Sequence, residues 1–287
     1  MKQLLILSGK GGTGKTTTAA AFISFAQGRA FADCDVDAPN LHLVMDFKNE
    51  PEKSAFLGAQ KAWVDAQQCI GCGKCESVCR FDALVKNDNG YTVNELSCEG
   101  CAVCTAVCPT GAVSMKDDVA GDMMLYQDGR VFSTAKLKMG RGNSGKLVTA
   151  VKKSLAEHSD AEFAIIDGSP GIGCPVIASI SGVNMVLVVA ESSLSGISDM
   201  ERILRTCRGF KTKAAVCINK YDSCPEKADA IEAFCKENDV PFVGRIPYDR
   251  AIPDAINAGK TIADVKCPAS DALRDVYEHV LTLMELK

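Results

Sequence analysis

Eight of the fifteen cysteines in this 287-residue chain fall between Cys69 and Cys108, in two runs with the same internal steps. The first run is Cys69, Cys72, Cys75 and Cys79; the second is Cys98, Cys101, Cys104 and Cys108, followed by Pro109. Each cysteine of the second run lies 29 residues after its counterpart, and Ala83 and Ala112 keep that offset. The segment is an internal duplication. In a chain of this length whose start enters a strand-like run, Leu4 to Leu7, with no signal-peptide core, such a count points to metal ligation or redox chemistry. The odd total excludes a fully disulfide-paired monomer.

The paired runs resemble the bacterial two-cluster ferredoxins. That resemblance implies two 4Fe–4S clusters, each held by three cysteines of one run and the last cysteine of the other. One set is then Cys69, Cys72, Cys75 and Cys108; the other is Cys98, Cys101, Cys104 and Cys79. Gly71, Gly73 and Gly100 suit tight loops whose amides approach sulfur. Arg80 departs from the pattern, which has proline after each run. Paired zinc knuckles are the alternative, but tight triplets with exchanged fourth cysteines suit zinc poorly.

Near the start, Gln3 to Ser8 reads as a buried strand and Thr16 to Ala26 as a helix. Between them, Gly9-Lys10-Gly11-Gly12-Thr13-Gly14-Lys15-Thr16-Thr17 contains G-x-x-x-x-G-K-S/T in its strand–loop–helix setting. Glycines let backbone N–H groups curl round phosphates, and the helix start adds its positive pole. Lys15 is expected on the β- and γ-phosphates of ATP, and the Thr16 hydroxyl on Mg²⁺.

The extra lysine, Lys10, makes the loop similar to that of the MinD/ParA ATPases and the nitrogenase iron protein. The resemblance implies that Lys10 crosses a dimer interface to the partner's nucleotide, acting in trans. It extends to Asp33-Cys34-Asp35-Val36-Asp37, which looks like the family's switch I. There Asp35 matches the aspartate that orients water and senses Mg²⁺, while Asp33 and Asp37 read equally well as a solvated acidic turn. Phe163 to Asp167 is an apolar strand ending in the carboxylate a Walker B aspartate requires, and Gly168-Ser169-Pro170-Gly171 resembles switch II. Asn219 matches the family's adenine-reading asparagine, and Pro247-Tyr248-Asp249 the segment that packs on the base.

Later strands are expected at Val183 to Ala190, Ala214 to Ile218 and Pro241 to Ile246, with a helix over Asp199 to Arg208. The expected fold is α/β: a doubly wound, mostly parallel P-loop sheet (residues 1–59 and 116–287) with an inserted small α+β ferredoxin domain (60–115). Asp128-Gly129 suggests a hairpin on the return. Of the remaining cysteines, Cys34, Cys207, Cys217, Cys224, Cys235 and Cys267 read as small buried hydrophobes. Cys174 lies where the nitrogenase iron protein has a cluster ligand, but Met139 stands where the second such ligand would precede Gly140-Arg141-Gly142.

With 32 basic and 36 acidic residues the net charge is −4, against a nucleic-acid or anionic-membrane partner. The longest apolar run, Met185 to Ala190, is far short of a span, and Asp271 to Lys287 carries mixed charge, so core packing is expected of it. A cytoplasmic location is expected. The sequence therefore points to an ATP-dependent homo- or heterodimer that passes single electrons through two clusters to a redox partner. The rivals are a metallocluster assembly or carrier ATPase, and a cell-division positioning ATPase with a redox-sensing ferredoxin domain.

Overall fold

The computed structural model describes residues 1–286. They form two compact units: Met1–Lys53 with Met123–Lys136 and the chain from Ser144 onward, and Ser54–Asp122 with Leu137–Asn143.

The first unit begins with β1 (Lys2–Leu7), whose last four residues are fully buried, as a strand covered on both faces requires. Gly14, at φ +94°, turns the chain into α1 (Lys15–Phe25), and β2 (Ala30–Asp33) follows. A side chain at position 14 would meet Asn219 Nδ2 at 2.2 Å, so both conformation and space demand glycine there.

Between Ser54 and Asp122 the chain repeats itself in space as it does in sequence. After β3 (Glu52–Leu57) come β4 (Lys61–Val64), α2 (Lys74–Val78) and β5 (Leu84–Asn87). They recur 29 residues later as β6 (Gly90–Val93), α3 (Val103–Val107) and β7 (Val113–Lys116). β4 pairs antiparallel with β7 and β5 with β6. Hydrogen bonds repeat too: Asp65 N–H to Ala112 O at 2.8 Å matches Asn94 N–H to Ala83 O at 2.7 Å. Ala62, Val64, Leu84, Tyr91 and Val113 form the small core, with Cys75, Cys98 and Cys104 buried among them.

The chain returns through β8 (Val119–Gln127) and β9 (Val131–Leu137), joined at Asp128-Gly129, where Gly129 takes φ +94°. Next come α4 (Ser144–His158), β10 (Phe163–Asp167), α5 (Cys174–Ile180), β11 (Met185–Glu191) and α6 (Leu194–Gly209). β12 (Lys213–Asn219), α7 (Pro225–Glu237), β13 (Phe242–Ile246), α8 (Ala251–Asn257) and α9 (Pro268–Leu283) complete it. The sheet runs β13-β12-β11-β1-β10-β2-β9-β8-β3. β1 is parallel to β10 and β11, and parallel pairing continues to β13 on one side and β9 on the other. β1 therefore lies where the winding reverses, and the crevice beyond its carboxyl end is the expected ligand position.

Helix α6 starts five residues before the expected Asp199, because the Ser193 hydroxyl accepts the Gly196 N–H at 3.1 Å and caps it. Helix α4 lies outside the expected elements, and its Leu147, Val148, Val151 and Leu155 bury one face at helical spacing. Helix α9 buries Leu273, Val276, Tyr277 and Val280 in the core, with the Tyr277 ring 5.0 Å from that of Phe22. Among the described residues no helix is long and apolar enough to cross a membrane.

Candidate functional sites

Lys15 opens α1 and points back across the carboxyl end of β1, where β10 delivers Asp167. Lys15 Nζ and Asp167 Oδ1 lie 2.6 Å apart, and Thr16 Oγ1 donates to Asp167 Oδ2 at 2.6 Å. Burial alone would lower the Lys15 pKa, but the charge and hydrogen bond of Asp167, with Asp33 and Asp35 behind, leave it raised. A hydroxyl and a strand-end carboxylate are oxygen donors of the kind Mg²⁺ takes, and an ammonium is a group that can meet a phosphate.

Lys15 and Thr16 border a cavity of about 460 Å³ lined also by the rest of Lys10 to Thr17, Asp35, Asn219 and Tyr248, while Asp167 is fully buried and lies outside that lining. Pro247 is not in the lining, while its neighbours Ile246 and Tyr248 are. Asn219 faces the loop: Nδ2 donates to Thr13 O at 2.7 Å, and Oδ1 accepts Lys220 N–H at 3.0 Å. Lys220, at φ +54°, adds a bond from Nζ to Gly12 O at 3.1 Å. The pair ties β12 to the glycine loop, a role that the sequence reading of Asn219 as a base reader did not include.

Asp33 also has a structural part. Its carboxylate is fully buried and accepts N–H groups from Asp35 at 2.9 Å and from Asn40 and Leu41 at 3.0 Å. Burial, then the charge of Asp167, pushes its pKa up to about 7 against those N–H donors and Lys15. Asp33 thereby fixes the turn that carries Asp35, whose pKa is raised, chiefly by burial. Two further bonds join the segments after β2 and β10: Cys34 N–H to Asp167 O at 2.7 Å, and Ser169 Oγ to Cys34 O at 2.6 Å. Lys10 turns toward the end of β11, its Nζ 2.6 Å from Glu191 Oε2 and 3.3 Å from Ser195 Oγ.

In the second unit the duplicated cysteines surround two separate hollows. Cys69, Cys72, Cys75 and Cys108 line one; Cys79, Cys98, Cys101 and Cys104 line the other. None of the eight is in a disulfide. Ala62 N–H donates to Cys98 Sγ at 3.4 Å, and Cys108 Sγ lies 3.7 Å from Thr110 Oγ1. Burial would raise the Cys108 thiol, yet the Thr110 hydroxyl and the N–H groups of Thr110, Val113 and Ala112 hold it below its ordinary pKa. Among the described residues no three His, Cys, Asp or Glu side chains close on one point as ligands of a single ion would.

Of the remaining cysteines, Cys34, Cys207, Cys217 and Cys235 are buried, and burial raises each thiol, to about 12, 11, 12 and 11 in turn. Thiols so protonated are inert packing groups. Cys224 and Cys267 are half-buried, and Cys174 is exposed at the first position of α5.

Residues 4–262 match the family model described as the CobQ/CobB/MinD/ParA nucleotide binding domain. The chain is 30% identical to uncharacterized protein MJ0578 of Methanocaldococcus jannaschii, covering 96% of this chain and 95% of that one. It is 22% identical to the iron-sulfur cluster carrier protein of Pyrococcus horikoshii over 99% of this chain and 88% of the relative. Among solved structures, it resembles the septum site-determining protein MinD complexed with Mg-ADP from Pyrococcus horikoshii. The TM-score is 0.58 at 18% identity, covering 99% and 98% of the two chains.

Proposed function

The chain belongs to the CobQ/CobB/MinD/ParA nucleotide-binding family, a P-loop ATPase of MinD/ParA type, and on that premise we propose a dimerising ATPase that couples nucleotide state to one-electron transfer. One observation carries this reading. The same chain brings Lys15, Asp167 and Thr16 together beside the glycine loop and has two hollows, each lined by three cysteines of one run and the last cysteine of the other.

Thr16 and Asp167 would hold Mg²⁺ in place of their present mutual contact, and Lys15 would exchange Asp167 for the β- and γ-phosphates. Asp35, held by Asp33, would orient the attacking water. Lys10 would leave Glu191 for the partner's nucleotide, and Ser169 would pass the state of the 168–171 turn to the segment after β2. Cys69, Cys72, Cys75 and Cys108 would hold one 4Fe–4S cluster, and Cys98, Cys101, Cys104 and Cys79 the other. Bound there, the clusters supply one-electron oxidation and reduction. The inserted unit (60–115 in the sequence reading) would then be the ferredoxin domain, and the partner a redox protein.

Metal and sulfide analysis of anaerobically purified protein tests this, together with electron paramagnetic resonance after reduction. The expected result is about eight irons per chain with matching labile sulfide. Zinc in place of iron would overturn it. The similarity to a cluster carrier favours a second reading, in which the clusters are cargo. Incubation with an apo-protein acceptor separates the two, since cargo leaves and resident clusters stay.

A further inference from the structure

The segment 137–143 connects β9 to α4 but packs with residues 54–122, and one side chain holds it there. Arg141 Nη2 lies 2.7 Å from Glu95 Oε2 and 3.2 Å from Asp118 Oδ1, and its Nη1 donates to Glu95 O at 3.3 Å. Arg141 and Asp118 side chains are only 15% and 10% exposed, so that arm of the fork is shielded from solvent, whereas Glu95 is 63% exposed. Lys138 N–H donates to Ala120 O at 2.8 Å and Arg141 N–H to Lys138 O at 3.0 Å, closing the segment on itself. Gly140, at φ +74°, passes so close to Leu96 that a side chain there would meet its Cδ2 at 2.9 Å.

The grip falls on a turn that presents a cysteine. Asn94 Oδ1 accepts Leu96 N–H at 3.0 Å and Asn94 O accepts Cys98 N–H at 3.0 Å, so Glu95 and Leu96 lie inside the loop that fixes Cys98.

At its other end the segment runs without a spacer into α4, which is fixed to α5. Gly145, in the first turn of α4, leaves so little room that a side chain would sit 3.3 Å from Cys174 O. Lys152 of α4 donates to Ser179 O at 2.7 Å and Ser181 O at 2.6 Å at the far end of α5. Helix α5 directly follows the 168–173 turn, whose Gly171 N–H bonds Ser8 O at 3.0 Å.

We propose that residues 137–143 are a strap, gripped by Arg141, through which nucleotide state at the 168–173 turn acts on the Asn94–Cys98 turn. The direction is 168–173 turn, α5, α4, strap, cysteine loop. Arg141 is a positioning residue, touching neither nucleotide nor thiol. This rests on the proposed reading of 168–171 as a nucleotide-sensing switch and of Cys98 as a cluster ligand.

Hydrogen exchange followed by mass spectrometry on the intact, iron-loaded protein tests it, under anaerobic conditions with Mg-ADP and with ATP. An Asp35→Ala background holds the ATP. The strap predicts that exchange within residues 94–98 changes about tenfold between the two nucleotides, the response to ~1.4 kcal/mol. Arg141→Gln and, separately, Glu95→Gln should abolish that change while the 168–176 response and iron content persist. A 94–98 segment indifferent to nucleotide, or one that still responds in both variants, overturns the strap. If residues 168–176 do not respond either, the switch reading falls and takes the strap with it. Iron content judges the cluster reading separately.

Discussion

Lys10 Nζ lies 2.6 Å from Glu191 Oε2, so the lysine matching the family's dimer-crossing residue rests on a carboxylate of its own subunit. It is a charge contact without an aligned hydrogen bond, since Glu191 Oε2 has no hydrogen-bond partner among the described residues. The side chains are 42% and 27% exposed, which puts the pair in the range of ~0.2–1 kcal/mol. Glu191→Gln should therefore tighten an ATP-bound homodimer by about two- to thirtyfold in dissociation constant, two such contacts being released per dimer, read by analytical ultracentrifugation. Lys10→Ala should abolish ATP-dependent dimerisation. An unchanged midpoint in Glu191→Gln would mean that the contact does not restrain Lys10.

The Lys15–Asp167 pair is different because both side chains are buried, at 6% and 0% exposure. Lys15→Ala leaves Asp167 without its counter-charge and should lower stability by ~3–5 kcal/mol. It should also remove the stabilisation that Mg-ADP confers on the wild type, ~2.7 kcal/mol at a hundred times Kd. Thermal melts with and without nucleotide check both effects. A variant that still gains stability from Mg-ADP would displace Lys15 from the phosphate site.

Asp33 predicts a pH dependence. Its pKa rises from 3.8 to about 7 on folding, so the native state holds a proton that the unfolded chain has already released. Its contribution is full below pH 3.8 and is lost as pH climbs through about 7. Nucleotide-free wild type should thus lose stability across that window relative to Asp33→Asn, which cannot ionise there. Parallel melting curves for the two proteins from pH 4 to 7, about the span of the shift, would refute the assignment.

The proposed exchange of cluster ligands between the two runs makes a separate prediction. Cys108→Ala should disturb the same resonance signal as Cys69→Ala, and Cys79→Ala the same as Cys98→Ala, although each pair joins different runs. Grouping by run instead would mean that each loop closes its own site.

Much of this was legible in the chain because the relevant signals are local. The glycine loop, the apolar strand ending at Asp167 and the 29-residue repeat each declare themselves within a short window, and the structure carries the repeat down to paired hydrogen bonds. Contacts between distant segments left no such trace. Asn219 spends its amide on Thr13 O and Lys220 N–H, which depends on β12 ending beside the glycine loop. Glu191 closes β11 as an ordinary polar strand end, and only folding brings Lys10 to it. Arg141 sits in the Gly140-Arg141-Gly142 loop, where the chain marks a family resemblance but not the contacts with Glu95 and Asp118 that folding brings. Helix α4 is marked in the chain by Leu147, Val148, Val151 and Leu155 at helical spacing, a local signal as plain as the others.

The central claim is coupling, and the most direct measurement is an anaerobic redox titration followed by electron paramagnetic resonance. It should be run without nucleotide, and again with ATP held unhydrolysed by Asp35→Ala. Coupling predicts that ATP shifts at least one cluster potential by about 59 mV or more, equivalent to ~1.4 kcal/mol for one electron. Potentials that coincide with and without ATP, in a protein that binds both ATP and iron, would contradict it.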